Sequence, residues 1–156
     1  MVLVITGILS GVMGPKFFDT GFFNSRGFHD ETLALLRYAQ KAAIAQRRTV
    51  CVAFTPTSAT LTIASAPPPS RNCNTDLTGL AGPNISNATT TYEVRTDKSG
   101  VNYTITPADF SFNALGQPIN ASGQLITQPP LLQIHVAGIP LTQLITIEAE
   151  TGYVHE

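Results

Sequence analysis

The chain has 156 residues, a formal net charge of −1 and only 12% charged residues, whereas 43% of its residues are hydrophobic. This length predicts one domain with a short additional segment, and the near-zero charge excludes a general electrostatic attraction to nucleic acid or anionic lipid. The charged fraction is about half of the usual one. Together with the many Thr, Ser, Asn, Gly and Pro residues, it favours an extracytoplasmic, β-rich domain over a cytosolic enzyme.

The chain starts with an almost uninterrupted apolar run that ends at Gly14 and Pro15. The run is shorter than the roughly 20 residues that a membrane-spanning helix requires. The basic segment and the small-residue cleavage site of a signal peptide are missing as well. Neither template fits, and a third interpretation is that the apolar segment starts upstream of Met1 and that this chain lacks its first part. Residues 19–27, with two glycines and an asparagine, predict a break after the run.

Residues 28–48 predict an amphipathic helix. Apolar residues recur on one side at spacings of three, four and seven: Leu35, Leu36, Ala39, Ala42 and Ala43. The other side is mostly polar: Arg37, Gln40, Lys41 and Arg48. Asp30 and Glu31 lie in the first predicted turn. Arg47 and Arg48 lie in the last, so that the charges complement the helix dipole.

The rest of the sequence predicts short strands. Residues 49–54 and 59–64 alternate between apolar and polar and, with a turn at 55–58, predict a hairpin in which Leu61 and Ile63 point inward. Residues 71–90 are rich in Asn, Thr, Gly and Pro and predict a loop. Further strands are predicted at 91–96, 101–106, 110–113, 131–136, 143–148 and 152–155. This order predicts an α+β fold with the helix on one face of an antiparallel sheet and a second small sheet near the C-terminus.

The two cysteines, Cys51 and Cys73, lie in no CxxC pair and beside no histidine at zinc spacing. They are either two unrelated buried thiols or one disulfide, which an oxidising compartment permits. A disulfide closing this loop would stabilise the fold by roughly 3 kcal/mol on the chain-entropy estimate.

The sequence gives little indication of catalysis. The histidines match no metal-ligand pattern: His29, His135 and His155. A secreted enzyme that pairs Cys51 with a histidine is an alternative, but a strand cysteine with a disulfide candidate is a poor nucleophile. Glu148 and Glu150 fall on one face of a predicted strand, where we interpret them as a solvated edge. We expect no enzyme activity, no catalytic residue, no cofactor and no metal site.

The apolar run resembles the first helix of type IV pilin-like proteins. In that family a processed Phe is followed by Thr-Leu-Ile-Glu-Leu, by an apolar run such as Ile-Leu-Gly-Ile-Leu-Ala, and then by Pro with an aromatic residue two positions later. Residues 5–10 (ITGILS) match the apolar run, and Pro15 and Phe17 match the Pro and the aromatic residue. This alignment places the processing site and the glutamate of the family upstream of Met1.

Three further stretches are similar to the minor pilins of the MSHA (mannose-sensitive haemagglutinin) pilus, the class called MshC, which belongs with the GspH/FimT-like pseudopilins: RGFHDETLALLRYAQKAAIAQRRTVCVAF, FSFNALGQP and ITIEAETGYVHE. The resemblance implies a truncated transmembrane and assembly helix at residues 1–18 and a periplasmic or extracellular globular domain at 19–156. It implies assembly contacts for seven residues: Val4, Ile5, Ile8, Leu9, Val12, Pro15 and Phe17.

The function that this resemblance implies is filament assembly. The chain would be a minor pilin of a type IV pilus, or a pseudopilin of type II secretion, that acts in initiation, assembly or tip display. Its partners would be other pilin or pseudopilin subunits, the assembly platform of the inner membrane and, through its first helix, the lipid bilayer. The alternative is an adhesive or DNA-binding tip module that uses residues 71–90, with Arg47 and Arg48 as a weak basic signal.

Overall fold

The structure, a computed structural model, describes residues 20–77, 92–127 and 132–156. In these ranges one helix packs on an antiparallel sheet, and a second, smaller antiparallel sheet lies near the C-terminus. The predicted α+β architecture is therefore confirmed. The segment 1–18, with the seven predicted assembly residues, lies outside the described ranges.

Helix α1 spans Thr20–Gln46, so it begins well before residue 28. The predicted break over 19–27 is wrong for residues 20–27. Gly27 lies inside this helix and faces open space, since a Cβ there would have no neighbouring atom within 4 Å. A glycine inside a helix costs only about 1 kcal/mol relative to alanine. Its neighbour Phe28 is buried, and burial of such a side chain contributes about 1.5–3 kcal/mol.

The charges of α1 do not complement its dipole in the predicted way. Because the helix begins at Thr20, Asp30 and Glu31 lie near its middle, and its first turn contains no acidic residue. Its last turn contains no basic residue, since the helix ends at Gln46, before the two arginines.

The arginines end α1 through their main chain instead. Arg47 takes the left-handed conformation, with φ +50°. Its amide donates to the carbonyl of Ile44 (3.3 Å), and the amide of Arg48 donates to the carbonyl of Ala43 (3.2 Å). These two hydrogen bonds form a Schellman motif, which satisfies carbonyls that the end of a helix leaves without partners.

The apolar side of α1 is buried as predicted: Leu35, Leu36, Ala39, Ala42 and Ala43. It packs against the large sheet, whose strands are β1 (Val50–Thr55), β2 (Ser58–Ile63), β3 (Thr75–Asp76), β4 (Glu93–Arg95), β5 (Phe110–Phe112) and β6 (Pro118–Ile119). The alternation in β1 and β2 turns Val50, Val52, Leu61 and Ile63 into the core.

The strand order of the large sheet is β3-β2-β1-β5-β6, and β4 also pairs with β2. The hairpin of β1 and β2 is confirmed, with Val52 opposite Leu61. On its other edge, β2 pairs with β4 at Ser58–Thr60 and with β3 at Thr62 and Ile63. The sequence prediction missed the two-residue strands β3 and β6.

The small sheet contains β7 (Leu132–Ile134), β8 (Ile145–Ile147) and β9 (Val154–His155) in that order, and a 3-10 turn at Leu141–Gln143 precedes β8. The predicted strand at 101–106 is wrong, since this segment forms only the isolated bridge between Tyr103 and Val136. Gly152 precedes β9 with φ +66°, and a Cβ there would collide with the carbonyl of Gly116. Only glycine fits this turn.

Candidate functional site

The first turn of α1 presents aromatic side chains to solvent. Phe22 is 44% exposed and Phe23 is 70% exposed, and their rings meet edge to face at 6.2 Å. A cavity of about 190 Å³ lies beside Phe23, and its lining includes Asp97 and Lys98. Because adjacent exposed aromatic residues are typical of interaction sites, this pair is the candidate contact surface within the described residues. We call it the phenylalanine pair.

A span through a bilayer is not found in the part of the chain that the structure describes. There, α1 is long enough, but its sequence is too polar to cross a membrane.

Cys51 and Cys73 form a disulfide, with their Cα atoms 6.1 Å apart. The alternative of two unrelated thiols is thereby excluded. Ser111 Oγ lies 3.2 Å from Cys51 Sγ, and both residues belong to neighbouring strands of the large sheet. Because a disulfide sulfur is not a thiolate, Cys51 offers no nucleophile in this state, which removes the basis of the Cys–His alternative.

Two cavities of about 410 and 260 Å³ lie near this disulfide and share Arg71 and Ile119 in their linings. The guanidinium of Arg71 donates to the carbonyl of Ser122 at 2.6 Å. Of the loop predicted as a contact surface at 71–90, residues 71–77 are described. They contain Cys73 and strand β3, so this part of the loop is fixed to the large sheet.

One side of α1 makes polar contacts to the C-terminal segment. The guanidinium of Arg26 donates to the side-chain oxygen of Gln143 at 2.7 Å. Arg37 Nε donates to the carbonyl of Val154 at 3.0 Å, and Gln40 Nε2 donates to the carbonyl of Thr151 at 2.9 Å. These bonds connect the helix with the 3-10 turn and with β9 and the residues before it.

The same side carries a cluster of four ionisable side chains, which we call the His29 cluster: Arg26, His29, Asp30 and Glu156. His29 is fully buried, whereas the Asp30 side chain is 52% exposed. Nδ1 of His29 lies 3.1 Å from Oδ1 of Asp30 and 3.6 Å from Oε1 of Glu156. The guanidinium of Arg26 lies 3.2 Å from Asp30 and 3.4 Å from Glu156.

The other two histidines have separate surroundings. His135 lies 2.7 Å from the carbonyl of Ile139 and 2.9 Å from the hydroxyl of Thr104. His155 has a raised pKa because it hydrogen-bonds the backbone carbonyl of Glu156 and the carboxylate of Glu148, which both favour the charged ring. The structure therefore brings one of the two predicted edge carboxylates, Glu148, to a histidine 2.9 Å away.

The three histidines lie in three separate places and form no shared site. Among the contacts described, no histidine contacts the disulfide. No protein-family model, no curated protein and no solved structure matches the chain.

Proposed function

We propose that the chain is a minor subunit of a filament of the type IV pilus or type II pseudopilus kind, similar to the MSHA minor pilins. The observation that carries this proposal is the phenylalanine pair. Phe22 and Phe23 are exposed on the first described turn of a long helix, and in the sequence they follow the pilin-like apolar run closely.

The apolar side chains of α1 differ in burial along the helix. Between Phe28 and Ala43 most apolar side chains of α1 are buried in the core, and Leu35 and Leu36 are fully covered, whereas Ile44 is 47% exposed. The two rings of the phenylalanine pair are 44% and 70% exposed, and in this proposal their exposed surface contacts other subunits. In this proposal the apolar run holds the subunit in the bacterial inner membrane before assembly, and the assembly platform transfers it into the filament.

Transfer of apolar helices from lipid into a bundle of helices is nearly neutral in hydrophobic free energy, since lipid tails are as apolar as leucine side chains. Specific packing therefore decides which subunits associate. Two aromatic rings at the boundary between the apolar run and the domain supply such packing, because each large ring buries considerable area. Pro15, in the sequence between them and the run, would permit a kink.

The test compares strains of the bacterium that encodes the chain. The double variant Phe22→Ser, Phe23→Ser is expected to leave the folded domain intact and to lower the amount of this subunit in the sheared filament fraction at least about tenfold, since one unmade aromatic contact contributes on the order of 1 kcal/mol and two add. Immunoblots of the sheared and cell-bound fractions measure this effect.

The matched control is Ile105→Ser, Leu141→Ser, which removes two other exposed apolar side chains. It should leave incorporation unchanged. Equal incorporation of the double phenylalanine variant and the wild type would contradict the role of the pair. A deletion strain with no change in filament number and no change in type II secretion would contradict the proposed function.

A further inference from the structure

The buried ring of His29 has only hydrogen-bond acceptors at both of its nitrogens. Nε2 lies 3.0 Å from the main-chain carbonyl of Gln143, so this nitrogen donates its proton. Nδ1 faces the carboxylates of Asp30 and Glu156 at 3.1 and 3.6 Å. A neutral imidazole has a single N–H, so the lone pair on Nδ1 points at two negative groups. This geometry leaves Nδ1 directed at oxygen atoms that a metal ion could share with it.

The spacing of the three donor atoms suits a metal ion. Zinc lies about 2.0–2.1 Å from its nitrogen and oxygen ligands, and tetrahedral geometry then separates neighbouring donors by roughly 3.4 Å. The two separations at Nδ1 bracket that value, and all three donor atoms lie within 4.8 Å of one another. The hydrogen bond from Nε2 to Gln143 is the outer contact by which proteins usually orient a metal-binding histidine.

We infer that Nδ1 of His29 and the carboxylates of Asp30 and Glu156 form a binding site for one divalent transition-metal ion of the zinc class. Imidazole with carboxylate donors suits zinc-class ions better than calcium or magnesium, which prefer oxygen alone. The half-exposed side chain of Asp30 leaves a route for the ion and for water as a fourth ligand. The metal site does not depend on the proposed filament function.

Arg26 competes with the metal ion for the carboxylates of Asp30 and Glu156. Its guanidinium contacts both carboxylates, at 3.2 and 3.4 Å, and metal binding displaces it from them. Gln143 Oε1, 2.7 Å from Nη1 of Arg26, is a second partner that keeps the displaced side chain in place. Loss of a ligand and loss of Arg26 must therefore change metal affinity in opposite directions.

Metal binding has a structural consequence. His29 and Asp30 belong to α1, whereas Glu156 directly follows β9. An ion held by these residues joins the helix to the C-terminal segment and stabilises the folded state by an amount that rises with the logarithm of its free concentration above the dissociation constant.

The test uses the full chain in detergent, freed of metal and titrated with Zn²⁺ against a chromophoric chelator. The expected result is one saturable site. Asp30→Asn and Glu156→Gln are expected to weaken it at least about tenfold each, and His29→Gln by more than the 10–100-fold typical of an outer contact. Arg26→Gln is expected to tighten it about tenfold, because one nearby positive charge is removed.

The matched control is His135→Gln, which removes a histidine whose ring contacts Thr104 and Ile139 and should leave the site unchanged. Since His29 is buried, the exposed Asp30→Asn decides the outcome if His29→Gln does not fold. Zn²⁺ affinity that is unchanged in Asp30→Asn and Glu156→Gln, or weakened in Arg26→Gln, overturns the inference. So does an NMR spectrum in which His29 carries protons on both nitrogens at saturating Zn²⁺, because the cation at Nδ1 is then a proton.

Discussion

Helix α1 is held to the two sheets by different forces. It packs against the large sheet through the common core, to which the fully buried Leu36 belongs. Toward the C-terminal segment it also uses charged and polar side chains, such as Arg37 and Gln40, that bond to carbonyls. Water competes for these bonds but not for apolar burial. Although Ile145 and Ile147 of the small sheet belong to the same core as the large sheet, we expect the polar contacts to let the small sheet open at a lower free energy than the large sheet.

The largest effect should come from the apolar side of this comparison. Leu36→Ala is expected to lower the free energy of unfolding by about 2–5 kcal/mol, because it removes a fully buried side chain and leaves a cavity. Urea unfolding measures the loss. Leu141→Ala, at a position 72% exposed, is the control and should change the free energy by less than about 0.5 kcal/mol. Equal losses in the two variants would contradict the description of the core.

The disulfide stabilises the large sheet. Replacing Cys51 and Cys73 together by alanine is expected to lower the free energy of unfolding by about 3 kcal/mol, since the unfolded chain regains the freedom of the closed loop. Unfolding with and without reductant measures this effect. Reductant should destabilise the wild type by a similar amount and leave the double variant unchanged. A wild type that does not respond to reductant would show that the cysteines are not paired.

The polar contacts should show a smaller and more local effect. Arg37→Met is expected to cost about 1 kcal/mol, because the carbonyl of Val154 loses a charged donor. Hydrogen exchange should become faster in β8 and β9 and stay unchanged in β1 and β2. Lys41→Met, on the exposed side of the helix, is the matched control. Faster exchange in both sheets would mean that the sheets do not open separately.

Tyr103 lies between the strand β1, where its ring contacts Phe54, and the segment after β7, where its backbone pairs with Val136. Burial raises the pKa of its phenol above the usual 10, although a hydrogen bond with Thr32 opposes the shift. The stabilisation from the neutral buried phenol is fully present below pH 10 and is lost as pH rises further, because the unfolded chain then releases a proton that the folded chain retains. Unfolding measured from pH 8 to 11 should show this loss.

Tyr103→Phe separates this effect from other alkaline titrations. The variant is expected to cost about 1 kcal/mol near neutral pH, since it removes the 3.0 Å hydrogen bond to Thr32. It should also make stability less dependent on pH above 10. An unchanged dependence would assign the alkaline loss to other groups.

Periodicity explains how much of the fold could be predicted. The apolar spacing of α1 and the alternation of β1 and β2 are long enough to identify the helix and the hairpin. The strands β3 and β6 have two residues each, too few for a period to appear. The segment 101–106 alternates like a strand, but only Tyr103 pairs, because pairing depends on which neighbour the fold supplies. Two glycines predicted a break that the burial of Phe28 overrides.

The His29 cluster could not be predicted for a related reason. His29 and Asp30 are adjacent in sequence, but a metal needs a third ligand, and Glu156 comes from the other end of the described chain. Sequence spacing detects ligands only when they lie on one element, as in HExxH. The disulfide could be predicted as one of two possibilities. The sequence has only two cysteines, and neither lies in a metal-binding pattern with a histidine or another cysteine.

The central claim is that the phenylalanine pair contacts neighbouring subunits in a filament, and cysteine cross-linking tests it most directly. Phe23→Cys is placed in the Cys51→Ala, Cys73→Ala background and labelled with a maleimide that carries a benzophenone, intact filaments are irradiated, and the products are separated by denaturing electrophoresis. Leu115→Cys, a comparably exposed position beside Gly116, which lies against Ile44 near the other end of α1, serves as the control. A cross-link from residue 23 to another pilin subunit, absent from the residue 115 variant, is the predicted result. No cross-link from residue 23 in filaments that contain the subunit would contradict the claim.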